Sequence, residues 1–102
     1  MELRDKAVVV TGAGGGLGRP ITERLARAGA RLVVSGRDRA RLEGLPGHPV
    51  TADLRLPGEP ERLVRTAAQH LGGLDGIVHA AGVVAFGPAA EADDDLLDEL
   101  FL

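Results

Sequence analysis

Val10-Thr11-Gly12-Ala13-Gly14-Gly15-Gly16-Leu17-Gly18 is the stretch on which the fold turns. Before it stands Ala7-Val8-Val9-Val10, short, wholly apolar and rich in β-branched residues. That is the composition of a strand buried on both faces of a parallel sheet. After it, Leu17, Ile21, Leu25 and Ala28 share one helical face, with Arg19, Glu23, Arg24 and Arg27 around the rest. Pro20 falls in the first turn, where its missing N–H costs little, and Gly29 ends the helix as a left-handed cap. Glycines between a buried strand and a helix let the backbone turn with positive φ, and they let a phosphate approach bare N–H groups. The helix N-terminus adds about half a positive charge at the same point.

Outward from the loop the same alternation repeats. Arg31 to Ser35 holds the apolar run Leu32-Val33-Val34, punctuated by Gly36. Asp38 to Leu45 reads as a short helix with Asp38 as N-cap, stopped before Pro46-Gly47. Val50-Thr51-Ala52 is a weak third strand. Beyond Pro57, Gly58 and Pro60, the residues Leu63, Val64, Ala67, Ala68 and Leu71 recur at helical spacing, with Arg62 expected on a solvent-facing surface. Gly72-Gly73 closes that helix. Leu74 to Ala80, around Ile77-Val78, reads as a fourth strand, and a loop through Gly82, Gly87 and Pro88 leads to a last helical pattern, Leu96, Leu97, Leu100 and Phe101. Strands alternating with helices predict right-handed βαβ units in a parallel sheet.

Composition excludes several classes of function. The chain has 102 residues, room for one small domain. With no Cys, no Trp and no Tyr, it has no disulfide framework, zinc finger or thiol nucleophile. Twelve basic against 15 acidic residues give a net charge of −3, which argues against nucleic acid as a partner. No apolar run approaches the roughly 20 residues of a membrane span. No metal site is expected: His48 and His70 lack ligand spacing and read as surface residues, and Asp93-Asp94-Asp95 reads as a helix start. His79 reads as a packed, hydrogen-bonded histidine. A soluble, cytoplasmic α/β domain is the class that remains.

The strict dinucleotide pattern G-x-G-x-x-G fails in every register of the loop, and no phosphate loop ending in Gly-Lys-Ser/Thr exists, because Lys6 is the only lysine. The pattern T-G-x-x-x-G-x-G does fit, on Thr11, Gly12, Gly16 and Gly18. Val33-Val34-Ser35-Gly36-Arg37-Asp38, Asp53-Leu54 and His79-Ala80-Ala81-Gly82 follow in order. Together these four stretches resemble the short-chain dehydrogenase/reductase family: its glycine loop, the end of its second strand, its acidic adenine-pocket motif, and a variant of its N-N-A-G motif. The resemblance spans the whole chain but only the first part of a typical member.

That resemblance implies a truncated Rossmann-type doubly wound parallel sheet of strand order 3-2-1-4, with helices on both faces. It implies residues 1–102 as the N-terminal part of an NAD(P)-binding domain, with a nicotinamide dinucleotide as partner. The coenzyme contacts it implies are Gly12, Gly14, Gly15, Gly16, Leu17, Gly18, Arg37, Asp53, Leu54, Ala80, Ala81 and Gly82. Gly36 stands where an acid would bind the ribose hydroxyls and Arg37 follows it, so NADP is expected in preference to NAD. Ala80 departs from the family's Asn, which removes a side-chain hydrogen bond there.

No catalytic residue is assigned. The family works with Ser, Tyr and Lys, usually with an Asn, whereas this chain has no Tyr, and Ser35 and Lys6 match no catalytic position. The last helical pattern resembles the helix that leads to the family's active-site Asn, so the chain reads as the coenzyme-binding part of an oxidoreductase cut short of its catalytic half. A non-catalytic nucleotide-binding module, or a non-functional truncated product, are the alternatives. In either case the fourth strand is expected to have a bare outer edge guarded only by Asp75, and the final helix to lose cover, which predicts an unstable or self-associating chain.

Overall fold

Ala7–Thr11 is buried at every position and forms β1. It is the central strand of the computed structural model, which describes residues 2–80 and, for backbone, 83–86. Around it follow α1 (Gly18–Arg27), β2 (Arg31–Gly36), α2 (Arg39–Leu42), β3 (His48–Thr51), α3 (Glu59–Leu71), β4 (Gly76–His79) and β5 (Val83–Phe86). The sheet order is β3-β2-β1-β4-β5. The first four strands are parallel in the expected order 3-2-1-4, with Val9 paired to Val33 on one side and to Ile77 on the other.

Handedness then fixes the faces. The chain steps from β1 to β2 to β3 in one direction, so two right-handed crossovers put α1 and α2 on the same face. The jump from β3 back across to β4 puts α3 on the opposite face. The period-2 alternation of the strands shows both layers. Val8, Val10, Leu32, Val34 and Val78 pack with Leu25 and Leu42 on one side, while Val9, Val33 and Ile77 pack with Leu63 and Ala67 on the other. Because the connections leave β1 and β4 in opposite directions, a crevice opens at the carboxyl ends of these strands, beside the glycine loop.

Several expectations need correction. The segment after Gly82, read as loop, contains β5, which runs antiparallel to β4 with His79 opposite Val83 and Ile77 opposite Ala85. Val83-Val84-Ala85-Phe86 is a short apolar run with β-branched and aromatic residues, the composition that suits a strand. The outer edge of β4 is therefore paired, which removes the edge argument for self-association. Asp75 guards no edge: its Oδ2 accepts from the Ala7 amide at 2.8 Å, and its own amide donates to the Ala7 carbonyl. Helix α2 is four residues and not eight, although Asp38 caps it as expected, accepting from the Ala40 amide at 3.0 Å. Leu17 precedes α1 and is 57% exposed, so it does not join the apolar face of Ile21 and Leu25. His48 and His70 are surface residues, as read, but their rings stack at 3.8 Å and tie β3 to α3. The last helical pattern and Asp93–Asp95 lie outside the described residues. Among the described residues no helix is long and apolar enough to cross a membrane.

The layer between α3 and the sheet rests on Leu63, which is fully buried. Leu63→Ala is expected to lower stability by about 2–5 kcal/mol through lost transfer and a residual cavity. Leu56→Ala, at an exposed leucine, is expected to change it by less than about 0.5 kcal/mol. Denaturant midpoints at unchanged m-value check both.

Candidate functional site

The glycine loop is tied down before it meets any ligand. The Ala13 amide donates to the Ser35 carbonyl at 3.0 Å, and the Gly15 amide closes a turn on Gly12 at 3.2 Å. Gly12 has φ +66°, and a Cβ there would lie 3.4 Å from that of Ala80. A Cβ on Gly18 would fall 2.0 Å from the Gly12 carbonyl oxygen, so no side chain fits where helix meets loop. At Gly16 the opposite holds: nothing lies within 4 Å of a Cβ position. The N-terminus of α1 is equally open. Leu17 offers no side-chain cap and the first turn carries no acid. The Arg19 amide is taken by the Gly15 carbonyl at 3.1 Å and Pro20 has no N–H, so the helix end offers an anion its dipole and the amides that precede Arg19. Helix α3, by contrast, has Glu59 and Glu61 in its first turn.

Two cavities flank the carboxyl ends of the strands. The larger, about 470 Å³, lies between Gly12, Gly14 and Gly15 on one wall and Gly36, Arg37, Asp38, Arg41 and Leu42 on the other. The smaller, about 190 Å³, is lined by Thr11, Ser35, Ala52, Asp53, Leu54, Arg55 and His79, and shares Gly12, Gly36 and Arg37 with the first. Both are walled by backbone and by charged side chains, of which Asp38 faces Arg41 and Asp53 is paired with Arg55.

The Asp53 carboxylate is gripped by Arg55. Oδ1 accepts from the Arg55 amide at 3.1 Å and from Nε at 3.0 Å, and Oδ2 from Nη2 at 2.9 Å. These hydrogen bonds, side chain first and backbone second, lower the Asp53 pKa from 3.8 to about 2. The Asp53 amide in turn points at Glu59 Oε1, 3.4 Å away, and Glu59 is bound by Arg62, which holds its carboxyl below the usual range. Arg62 also donates to the Thr51 carbonyl at 2.7 Å. It is thus a strut under the Asp53 loop, not the free surface residue that the spacing suggested. Across the crevice, Thr11 Oγ1 and His79 Nδ1 share a hydrogen bond, so His79 is the bonded histidine expected.

A glycine-rich turn opening onto an uncapped helix at the switch point of a doubly wound sheet is the setting of a dinucleotide site. Comparison with known proteins agrees. The family model described as short chain dehydrogenase matches residues 6–102. The chain belongs to the short-chain dehydrogenase family. It is 39% identical over 100 residues to 1-deoxy-11-beta-hydroxypentalenate dehydrogenase of Streptomyces exfoliatus, covering 89% of this chain and 36% of that protein. It is 36% identical over 87 residues to an uncharacterized oxidoreductase of Staphylococcus aureus, covering 78% and 38%. Among solved structures, a short chain dehydrogenase/reductase from Burkholderia phymatum in complex with NAD superposes with TM-score 0.68 at 27% identity, over 76% of this chain and 31% of that one. Hydroxysteroid dehydrogenase from Escherichia coli gives 0.70 at 29%, over 76% and 37%. The chain thus spans less than two-fifths of the length of the curated relatives named here.

Of the residues that the family resemblance singles out, Gly12, Gly14, Gly15, Arg37, Asp53 and Leu54 line the two cavities. Gly16, Leu17 and Gly18 form the α1 entrance beside them, and Ala80 packs against Gly12 while its amide donates to the Thr11 carbonyl. Ala81 and Gly82 lie outside the described residues. Among the cavity-lining residues, Arg55, Arg41 and Leu42 were missed by the sequence reading, and Asp38 was read only as a helix cap. Arg41 stands four residues after Arg37 and Arg55 two after Asp53, spacings at which a guanidinium can share a wall or grip a carboxylate.

Arg55→Ala is expected to return the Asp53 pKa from about 2 toward 3.8, followed by carboxyl chemical shift against pH. The sign for stability follows. A depressed carboxylate pKa stabilises the fold above pH 3.8, and that contribution fades as pH falls through 3.8 toward 2. The variant should lose this part of the acid dependence.

Proposed function

We propose that the two cavities hold the adenosine half of a nicotinamide dinucleotide, with NADP preferred to NAD. On this reading residues 1–102 form the coenzyme-binding part of an oxidoreductase acting on carbonyls or alcohols. In this reading the pyrophosphate lies over Gly16 at the open end of α1, the base lies by Asp53 and Leu54, and the ribose lies at the end of β2. The residues fit such a ligand in charge and in space: an uncapped helix end, bare backbone at Gly16, and an arginine-lined cleft beside it.

The preference for the phosphorylated coenzyme rests on one observation. At the end of β2, where a carboxylate would accept both ribose hydroxyls and repel a phosphate, stands Gly36. The neighbouring acid, Asp38, does not fill that role: Oδ1 caps α2, and Oδ2 faces Arg41 Nε at 3.8 Å. Arg37 lines both cavities, and on this reading it meets the ribose in place of an acid.

Bound in this way, the coenzyme supplies hydride transfer at its nicotinamide ring. What these residues supply is binding, orientation and charge. The family's acid–base Tyr has no counterpart among the 102 residues, because the chain contains no Tyr. The alternative reading is a non-catalytic nucleotide-binding module. The coding sequence downstream of codon 102 separates the two: an adjacent frame encoding Tyr-x-x-x-Lys supports the first reading, and its absence the second. A cytoplasmic location goes with the first reading.

Calorimetric titration of the chain with NADP and NAD tests the preference. The expected result is NADP tighter by about tenfold or more, roughly 1.4 kcal/mol. Arg37→Ala should bring the ratio close to one. Gly36→Asp should reverse it, since a Cβ there meets only Leu42 Cδ2 at an ordinary 3.5 Å. Equal affinities in the wild type overturn the preference.

Gly16→Val should abolish binding of both coenzymes without unfolding the chain, and Arg65→Ala, exposed on α3, should change neither. If Gly16→Val binds like the wild type, the loop is a structural turn only.

A further inference from the structure

Arg19 stands in the first turn of α1, yet it lines neither cavity. Its Nη2 donates to the Arg41 carbonyl at 2.8 Å and reaches that of Glu43 at 3.5 Å. These carbonyls lie at the C-terminal end of α2, where a helix leaves its last C=O groups without partners of its own and where a cation meets the negative end of the dipole. The same backbone lies against the glycine loop. A Cβ on Gly14 would lie 2.7 Å from the Arg41 carbonyl oxygen and 2.8 Å from Arg41 Cβ. The Arg41 carbonyl therefore meets both the guanidinium of Arg19 and the bare backbone of Gly14, and α2 is docked directly on the phosphate loop.

We propose that Arg19 is a positioning residue for recognition of the 2′-phosphate. It holds α2 against the loop, and so sets the gap between the loop and the wall that carries Arg37 and Arg41. This rests on the coenzyme reading given above. A four-residue helix cannot sustain itself, because nucleation is costly and few bonds repay it. Leu42, buried in the core, still anchors one point of α2. Without Arg19 the carbonyls of Arg41 and Glu43 turn to water, and the backbone that carries Arg41 loosens around that point. Two guanidiniums then have to be ordered when the ligand binds, which weakens binding in proportion to the freedom lost. The pyrophosphate end is built on α1 and the glycine loop, and keeps its geometry. The loss therefore falls on 2′-phosphorylated nucleotides alone, which distinguishes a positioning role from a general loss of fold.

The experiment titrates the chain with 2′,5′-ADP and 5′-ADP, and records backbone heteronuclear NOEs over residues 39–43 without ligand. Arg19→Ala is expected to weaken 2′,5′-ADP by about fivefold or more and 5′-ADP by less than about twofold, the scale of one charge-assisted hydrogen bond. The NOEs over Ala40–Glu43 should fall. Arg19→Lys, which keeps a donor, should recover part of both effects. In an Arg37→Ala background, Arg19→Ala should add less than about twofold, because the two changes act on one contact. Equal weakening of both nucleotides, or unchanged NOEs, would overturn the proposal. If the wild type does not favour 2′,5′-ADP at all, the coenzyme reading fails and the proposal with it. If the wild type favours it and Arg19→Ala favours it equally, only the role of Arg19 fails.

Discussion

The approach of Gly18 to the carbonyl of Gly12 is the constraint from which the remaining geometry follows. A side chain at Gly18 would sit 2.0 Å from that oxygen, so the turn from β1 into α1 exists only as bare backbone. Its tightness puts the first turn of α1 at the carboxyl end of the central strand. The helix dipole then points into the crevice between β1 and β4, instead of along the rim of the sheet. The hydrogen bond from the Ala13 amide to the Ser35 carbonyl ties the loop to β2, and that from the Ala80 amide to the Thr11 carbonyl ties its start to the end of β4. One tight turn therefore registers the three strand ends that surround the cleft.

Charge in this cleft is arranged by giving each carboxylate a local task. Asp38 caps α2 and faces Arg41; Asp53 is gripped by Arg55; Glu59 is bound by Arg62. Exposed pairs of this kind add little to stability, because solvent screens them and ordering two long side chains opposes them. Their larger effect is on the field. Acids held by their own arginines do not project negative charge into the cavities, where Arg37 and Arg41 stand in the wall.

How far the sequence discloses this depends on the range of the interaction. Apolar runs such as Ala7–Val10 and Leu32–Val34 name their strands because a strand buried on both faces has no polar alternation to confuse it. The order 3-2-1-4 is what the family resemblance implies, and right-handed crossovers then assign the helices to the two faces of that sheet. The glycine loop is legible because Gly14 and Gly18 admit no side chain and Gly12 takes positive φ, needs that glycine meets locally. What escaped was set by tertiary contact. Arg62 has the spacing of a surface residue, and only the fold brings the Thr51 carbonyl within its reach. Strand β5 carries a readable β-rich run in Val83–Phe86, but the glycines around it suggested a loop. Leu17 keeps the period of the α1 core face, yet lies one residue before the helix begins and is exposed.

Net charge illustrates the same difference of scale. At −3 for the chain, the sum argues against polyanionic partners in general, and it describes the surface as a whole. The surface that would meet a dinucleotide is a small part of it, and there the balance differs: Arg37, Arg41 and Arg55 line the two cavities, while Asp38 and Asp53, the acids on the same walls, are engaged by Arg41 and Arg55. A concave surface walled by backbone focuses such a field more strongly than an open one. An acidic chain can therefore offer a locally positive cleft to one compact anion while repelling an extended one. The distinction lies in which acids have partners, a property of contacts that a count of residues does not contain.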